Sequence, residues 1–326
     1  MRSSTSGSEP AAADRVQRER YDSVGRRRVI VILGTLLFCL VGIEAGARFA
    51  FARISRIERR VMTEHVAAQQ LRRSSSVSPV LLAGDSLLLL DFDLNVLPHK
   101  LPAGVHLQRF SIEQTAYLDW LFGLRRLFSE GARPAVVILC IAPNSLVSST
   151  IQGDYSAFYL YKVDDIPAIA KKAGYDLTKE SSLLFAHYSL FFAGRSNLRN
   201  FILSRVFPAY AGALHNLLTH PPAPMPREEV LRISQPRFQE LKRLCGSYGA
   251  HFVYVIAPGF GIQEGAIVEA GSRAGVPVVV PVHSDAWPPS KFSDGFHLNE
   301  AAAREFTEKL SPALDSLLAS YDFAAK

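Results

Sequence analysis

The 326-residue chain is 48% hydrophobic, 20% charged and 10% aromatic, a composition that excludes collagen-like, disordered and low-complexity proteins for most of its length. Residues 1–73 carry 14 Arg, no Lys and 7 acidic residues, a net charge of +7, whereas residues 74–326 have a net charge of −1. Because a nucleic-acid-binding protein carries its positive charge on the folded domain, we expect no nucleic-acid partner. The three cysteines show no metal-ligand spacing and exclude a disulfide scaffold: Cys39, Cys140 and Cys245.

An apolar segment near the N-terminus has the length of a membrane span. Residues 29–43 form an uninterrupted apolar run, and weakly polar residues extend it to a predicted transmembrane anchor at 29–50. Three arginines stand directly before the run, so the positive-inside rule predicts that residues 1–28 form a cytoplasmic, disordered tail. The remainder would then lie outside a bacterial-type inner (plasma) membrane, on the periplasmic side.

Two other interpretations of this segment stay open. Ala45-Gly46-Ala47 is typical of a signal-peptidase site, which would make the segment a cleaved signal peptide. The long polar prefix favours a retained anchor, and the arginines before the run argue against a buried helix of a soluble domain. Residues 51–76 have the charged pattern of a helical stalk between the membrane and a globular domain at 77–326.

Short apolar runs alternate with helical patterns throughout the globular domain, which is typical of a parallel α/β sheet. The predicted strands are residues 79–83, 106–110, 135–141, 251–257 and 276–282. The predicted helices are residues 115–130, 228–248, 261–274 and 299–320. The run at 135–141 is apolar on both faces, as expected at the centre of a sheet covered on both sides.

Residues 145–226 interrupt this alternation. The segment has no convincing strand and is rich in aromatic residues, so we expect a mostly helical insertion. A satellite core that packs on the sheet is the favoured interpretation. A cover over a site at the edge of the sheet and a face that leans on the membrane are the alternatives.

A serine follows the first predicted strand and a tight turn, in the sequence Gly84-Asp85-Ser86-Leu87. This position exposes the Ser86 hydroxyl at the carboxyl end of the sheet, where open α/β sheets bind ligands. A helix that begins there offers free backbone N–H groups to a developing oxyanion. The alternative is a simple helix cap. For the nearby Asp91 and Asp93, we favour a solvated helix face over a place in the site.

A second polar motif lies between the last strand and the last helix. Asp294 and His297 are three residues apart in one loop, so the carboxylate can orient an imidazole that faces a serine. The alternative is an ordinary polar loop in which Asn299 caps the last helix.

Together these motifs resemble the SGNH (GDSL-type) hydrolase superfamily, in a membrane-anchored form. The G-D-S-L around Ser86 matches its first block, Asp294 and His297 match its last, and Asn144 follows the central strand as in its third. The resemblance implies a flavodoxin-like three-layer α/β/α sandwich with a parallel sheet. It also implies that Ser86 is the nucleophile, His297 the general base, Asp294 its orienting carboxylate, and Asn144 with the Ser86 N–H the oxyanion hole, without a metal or organic cofactor.

The second block departs from the family pattern. The family has a glycine after the second strand whose N–H completes the oxyanion hole, but residues 109–115 contain no glycine. Since a backbone N–H does not require glycine, Ser111 or Gln114 is the expected donor.

These residues predict a serine-dependent ester hydrolase or acyl-transfer enzyme that acts on an extracytoplasmic ester substrate. The first alternative is an O-acyltransferase that acts on an acylated glycan of the cell envelope, with a membrane-bound acyl donor as its partner. The second alternative is a non-catalytic envelope assembly protein that retains the fold.

Overall fold

A computed structural model describes residues 10–74, 77–207, 209, 225–258 and 263–321. The chain divides into two compact units, Met1–Ala52 and Arg53–Lys326.

The first unit contains most of a single helix, α1 (Pro10–Ile54). Within α1, Arg26–Phe51 has a mean hydropathy of 2.4 and is long and apolar enough to span a membrane, a property that signal sequences share. The predicted anchor at 29–50 lies inside this window. The tail predicted to be disordered is helical from Pro10 onward, because residues 10–25 are rich in Ala and Arg, which favour helices. Residues 1–9 lie outside the described part of the chain.

The predicted stalk is instead part of the globular unit. Its helix α2 (Arg56–Gln69) is capped by the Ser55 hydroxyl, which accepts the Glu58 N–H at 3.2 Å. Val61 and Ala68 on α2 are fully buried, seven residues apart on one face of the helix. The charged residues of α2 are typical of a solvated helix. Three of them, Glu58, Arg60 and Glu64, instead bind groups of the globular domain.

The second unit is built on a five-stranded parallel sheet in the order β2-β1-β3-β4-β5. The strands are β1 (Ser78–Gly84), β2 (Val105–Ser111), β3 (Val136–Cys140), β4 (His251–Val255) and β5 (Val278–Val279). This order is the flavodoxin-like arrangement that the resemblance implied. The last strand is shorter than predicted, since Pro277 and Pro281 flank it and cannot donate ladder hydrogen bonds.

Eight α-helices with described bounds lie between β1 and β4. They are α3 (Ser86–Leu90), α4 (Tyr117–Ser129), α5 (Pro143–Val147), α6 (Asp154–Tyr159), α7 (Ile166–Ala173), α8 (Leu177–Tyr188), α9 (Leu190–Val206) and α10 (Arg227–Ser247). Two more, α11 (Glu264–Ala274) and α12 (Glu300–Ala319), complete the sheet's cover. The insertion is helical, with no strand, as far as residue 207; its residues 208 and 210–224 lie outside the description.

Helices cover both faces of the sheet. On one face, Val80 and Ile138 pack with Phe306 and Leu310 of α12 in the main apolar cluster. On the other face, the ring of Tyr254 in β4 meets Phe238 of α10, with centroids 5.2 Å apart. The domain is therefore the predicted three-layer α/β/α sandwich.

The strand register brings three loops to the same edge. Gly84, the last residue of β1, pairs with Ser111 of β2 and with Cys140 of β3. A Cβ at position 84 would lie 2.0 Å from the Cys140 carbonyl oxygen, so only glycine permits this approach of β1 to β3. The loops after β1, β2 and β3 consequently leave the sheet at one level.

Candidate active site

Ser86 is the first residue of α3, directly after the β1 strand and the Gly84-Asp85 turn. Asp85 caps this helix: its buried carboxylate accepts the Leu87 N–H at 2.9 Å and the Ala142 N–H at 3.0 Å. Burial raises the pKa of Asp85 to about 6, against the opposing effect of these two hydrogen bonds. Asp85 therefore fixes the serine turn to the loop that carries Asn144.

His297 bridges a serine and an aspartate that are far apart in sequence. Its Nε2 lies 2.8 Å from Ser86 Oγ, and its Nδ1 lies 2.8 Å from Asp294 Oδ2. This is the geometry in which a serine can pass its proton to an imidazole while a carboxylate holds the other ring nitrogen. The structure thus brings together all three residues that the sequence predicted as nucleophile, base and orienting acid.

The loop holds Asp294 through its own backbone. Its Oδ1 accepts the N–H of His297 at 2.7 Å and the N–H of Phe296 at 2.9 Å. Partial burial alone would raise the pKa of Asp294, but the hydrogen bonds from His297 and Phe296 outweigh it and hold this pKa at about 2. Asp294 is therefore ionised at neutral pH and can stabilise a positive charge on His297.

Asp91 has a role that the sequence analysis missed. We expected a solvated carboxylate, but Asp91 is fully buried and its Oδ1 accepts the Leu298 N–H, next to His297, at 2.9 Å. Burial raises its pKa well above the usual value, and the carboxylates of Asp85 and Asp294 raise it further. The expectation was wrong because α3 ends at Leu90, so Asp91 leaves the helix and packs against the loop that carries His297. Its position between the apolar residues Leu90 and Phe92 was the sequence feature that could have predicted its burial.

Asp93 is half-buried rather than fully solvated. Its N–H donates to the Thr307 hydroxyl of α12 at 2.8 Å, and its carboxylate accepts the Asn95 N–H at 2.9 Å. It stabilises the turn after α3 and makes no contact with the serine in the described structure.

Two of the predicted oxyanion donors are free. Ser86 is the first residue of α3, and no described group accepts its N–H. Asn144 lies half-buried on α5, and its side-chain amide makes no hydrogen bond to the part of the chain that the structure describes. Both stand at the edge of the sheet where the β1 and β3 loops emerge.

The two second-block candidates differ. Ser111 is buried and its N–H donates to Glu64 Oε2 at 2.9 Å, so it cannot serve an oxyanion. Gln114 has a φ of +62°, the only positive φ of a non-glycine residue among those described. Its N–H has no acceptor within the described ranges. Gln114 therefore takes the left-handed backbone conformation that glycine ordinarily favours.

The insertion reaches this second-block loop. Gln152 Nε2 lies 3.3 Å from Gln114 Oε1, and the Gln152 N–H donates to the buried Asp119 carboxylate at 3.1 Å. Asp119 also accepts the Ala116 N–H at 2.8 Å. The start of the insertion and the loop after β2 are thus joined through one carboxylate.

No metal cluster is found: across the described residues, no three His, Cys, Asp or Glu side chains are placed to hold an ion.

Comparisons with known proteins give remote likenesses. No family model matches the chain, and no curated protein matches it. Among solved structures, TesA shares 13% identity with a TM-score of 0.39, over 74% of this chain and 99% of TesA. The psychrotrophic esterase EstA from Pseudoalteromonas sp., inhibited by monoethylphosphonate, shares 11% identity with a TM-score of 0.38, over 74% of this chain and 100% of EstA.

The strand order and the positions of the sequence motifs do not depend on these comparisons. The G-D-S-L serine follows β1, Asn144 follows β3, and the Asp294-to-His297 loop precedes the last helix of a 2-1-3-4-5 parallel sheet. This strand order is that of the flavodoxin-like sandwich implied by the sequence resemblance. The residues that match the first, third and last blocks of the SGNH pattern lie at one edge of the sheet, and the second block departs from that pattern.

Proposed function

We propose that the protein is a serine-dependent ester hydrolase of the SGNH type. The observation that carries the proposal is His297, whose two ring nitrogens lie 2.8 Å from Ser86 Oγ and 2.8 Å from Asp294 Oδ2. A simple helix cap or polar loop requires no such contact between residues 211 positions apart.

The reaction follows from these contacts. Ser86 Oγ attacks the ester carbonyl carbon while its proton passes to His297 Nε2, and the Asp294 carboxylate stabilises the imidazolium. The tetrahedral intermediate collapses, the C–O bond to the leaving alcohol breaks, and Nε2 returns the proton to that alcohol. Water then attacks the acyl-serine, with its proton again taken by Nε2, and releases the acid and free Ser86.

The oxyanion in this scheme binds to three donors. We assign the Ser86 N–H, the Asn144 side-chain amide and the Gln114 N–H. Each donor lacks an acceptor within the described structure, and the three segments that carry them follow β1, β3 and β2 at the same edge of the sheet. One such donor is worth about 3–4 kcal/mol of the activation barrier in other enzymes.

The proposed location follows from the N-terminal segment. The apolar window Arg26–Phe51 would anchor the protein in a bacterial-type inner membrane, with the three arginines at its start in the cytoplasm. The domain would then act on a periplasmic ester. Fusion of alkaline phosphatase after residue 74 tests this topology: an active fusion in the membrane fraction is expected, and a mature N-terminus at Arg48 would show a cleaved signal instead.

A cavity in the insertion favours a second candidate, acyl transfer to an envelope glycan. The cavity has a volume of about 340 Å³ and is lined by polar and aromatic side chains that include Gln152, Tyr155, Tyr175 and Arg195. Gln152 also contacts Gln114, so an acceptor held in this cavity would lie beside the second-block loop. Tyrosine rings with hydrogen-bonding neighbours suit a sugar, whose hydroxyl would replace water as the attacking group.

A fluorophosphonate probe tests the proposed chemistry directly. The full-length protein, purified in detergent, should be labelled on Ser86, with the site located by mass spectrometry, while Ser86→Ala should not be labelled. Absence of labelling in the folded protein would favour a non-catalytic assembly role. Burst kinetics with and without oligosaccharide then separate the two enzymes, since an acceptor accelerates deacylation only for a transferase.

A further inference from the structure

The second-block loop holds a residue in an unfavourable conformation. Gln114 has a φ of +62°, where its Cβ is crowded by the backbone and where glycine would be free of strain. A loop of this kind keeps its shape only when its surroundings determine it. Some of the groups that surround it come from α4 and the insertion, and others come from α2, which the SGNH blocks do not include.

Glu64 on α2 binds the strand residue from which this loop leaves the sheet. One carboxylate oxygen, Oε2, accepts the Ser111 N–H at 2.9 Å and the Ser111 hydroxyl at 3.2 Å. The other, Oε1, accepts Nε of Arg109 at 2.8 Å. The Glu64 side chain is 9% exposed, so these partners take the place of the water that its carboxylate would otherwise bind.

Arg60, one turn earlier on α2, binds the same residue from its other side. Its Nη1 donates to the Ser111 carbonyl at 2.7 Å and lies 2.8 Å from the Ser111 hydroxyl. Its Nη2 donates to Glu113 Oε1 at 2.6 Å, directly before Gln114. Arg60 and Glu64, the α2 clamp, thus engage the N–H, the carbonyl and the hydroxyl of Ser111 together.

This arrangement exceeds what helix packing requires. Val61 and Ala68 already bury the inner face of α2 in the core. Partly buried charges are unfavourable unless they are paired in a fixed geometry, and charge-assisted hydrogen bonds restrict that geometry further. The clamp therefore makes the position of residues 111–114 depend on the position of α2.

We propose that Arg60 and Glu64 are positioning residues that hold the Gln114 N–H where the oxyanion forms, so that side chains from α2 replace the conformational freedom of the glycine in the second block. The inference rests on the proposed esterase function. It gives α2, the helix that follows the N-terminal apolar segment, an indirect part in the chemistry, through the loop after β2.

Kinetics of the full-length protein in detergent test this role. Arg60→Met and Glu64→Ala should each lower kcat for p-nitrophenyl acetate about 10-fold or more with KM changed less than about two-fold, since a misplaced donor affects the transition state alone. Arg59→Met is the matched control, an exposed arginine next in sequence whose loss should leave kcat unchanged. Rates are normalised to Ser86 sites titrated with fluorophosphonate, so unfolded protein is not counted.

Two further readouts separate positioning from stability. The Ki of a boronic acid that forms a tetrahedral adduct on Ser86 should rise in parallel with the fall in kcat/KM. Adding Gln114→Gly to Glu64→Ala should restore part of kcat, because glycine adopts the φ of +62° without the clamp. A normal kcat per titrated site in Arg60→Met and Glu64→Ala would overturn the proposal, as would a Ki that does not change.

Hydrogen exchange distinguishes this failure from failure of the proposed function. In the full chain, the Ile112 amide, which donates to the Gly84 carbonyl at 3.0 Å, should exchange about 10-fold faster or more in Glu64→Ala than in the wild type or Arg59→Met. If the wild type neither hydrolyses esters nor reacts with fluorophosphonate, the esterase proposal fails, and unchanged exchange at Ile112 would then reject the clamp independently.

Discussion

The side of the site that carries the nucleophile and the side that would bind the oxyanion are held by different kinds of contact. On the nucleophile side, Asp85, Asp91 and Asp294 accept backbone N–H groups from the loops around Ser86 and His297. On the oxyanion side, Ser111 is held by side chains of α2, about fifty residues earlier in the chain.

The difference shows which substitutions would disrupt each half of the site. A short carboxylate that accepts backbone N–H groups has few rotatable bonds, so it fixes those backbone groups closely even where, as for Asp91 and Leu298, the two are far apart in sequence. A loop held by long, charged side chains depends on the position of another helix and on the geometry of every pair in the network. We therefore expect the nucleophile half to fail only when a reacting group is removed, and the oxyanion half to change by degrees.

The largest expected effect is on the nucleophile side. Ser86→Ala and His297→Ala should each reduce kcat for p-nitrophenyl acetate by about 10³-fold or more, because each removes the covalent pathway. The double variant should be no worse than either single one, since the two residues act as a unit. Circular dichroism and melting temperature should stay close to wild type; full activity in folded Ser86→Ala would remove the serine mechanism.

Loss of one oxyanion donor should have a smaller effect. Asn144→Ala should slow turnover about 100-fold without abolishing it, because the N–H groups of Ser86 and Gln114 remain. KM should stay nearly constant, since the donor binds the transition state more strongly than the ester. Ser145→Ala, at the neighbouring half-buried position on α5, is the control, and an equal loss there would point to a structural effect.

Substitutions at Gln114 should sharpen the comparison further. Gln114→Val should destabilise the protein by about 1–3 kcal/mol, because a β-branched residue is strongly disfavoured at a φ of +62°. Gln114→Gly should change stability by less than about 1 kcal/mol, since relief of strain offsets the greater freedom of the unfolded chain. Both are measured by urea unfolding, and equal losses for the two variants would mean that the backbone conformation is not the cause.

The smallest expected effect is a pH dependence from Asp91. Burial raises its folded pKa well above the unfolded value of 3.8, so the folded state binds this proton more tightly. Stability from this group is therefore present at low pH and is lost as the pH rises from about 4 through the folded pKa. Asp91→Asn keeps an oxygen that can accept the Leu298 N–H but binds no proton.

The melting temperature of Asp91→Asn relative to wild type should accordingly be higher at about pH 8 than at about pH 4, by a few °C. Any slope that Asp85 adds is common to both proteins and cancels in the difference. A difference that does not change with pH would show that Asp91 is ionised in both states.

Local sequence was enough to predict most of the sheet and the three side chains that meet at its edge. β1 and β3 are apolar runs followed by glycine, proline and polar residues, and these signals lie within a few positions of each strand end. Ser86, Asp294 and His297 stand in short motifs at such ends, so their approach follows once the strands are parallel. The short β5 and the helical residues 10–25 were less well predicted. Prolines shorten the strand within an apolar run, and alanines favour a helix within a polar segment.

The sequence by itself determined the parallel sheet and the edge at which Ser86, Asp294 and His297 meet, because apolar periodicity and turn residues act over short distances along the chain. Only the tertiary structure decided that Asp91 is buried, that Ser111 is committed to Glu64, and that the supposed stalk belongs to the domain. A charged side chain looks the same in sequence whether it faces water or a partner fifty residues away. Its burial and its hydrogen bonds depend on long-range packing, which no local pattern contains.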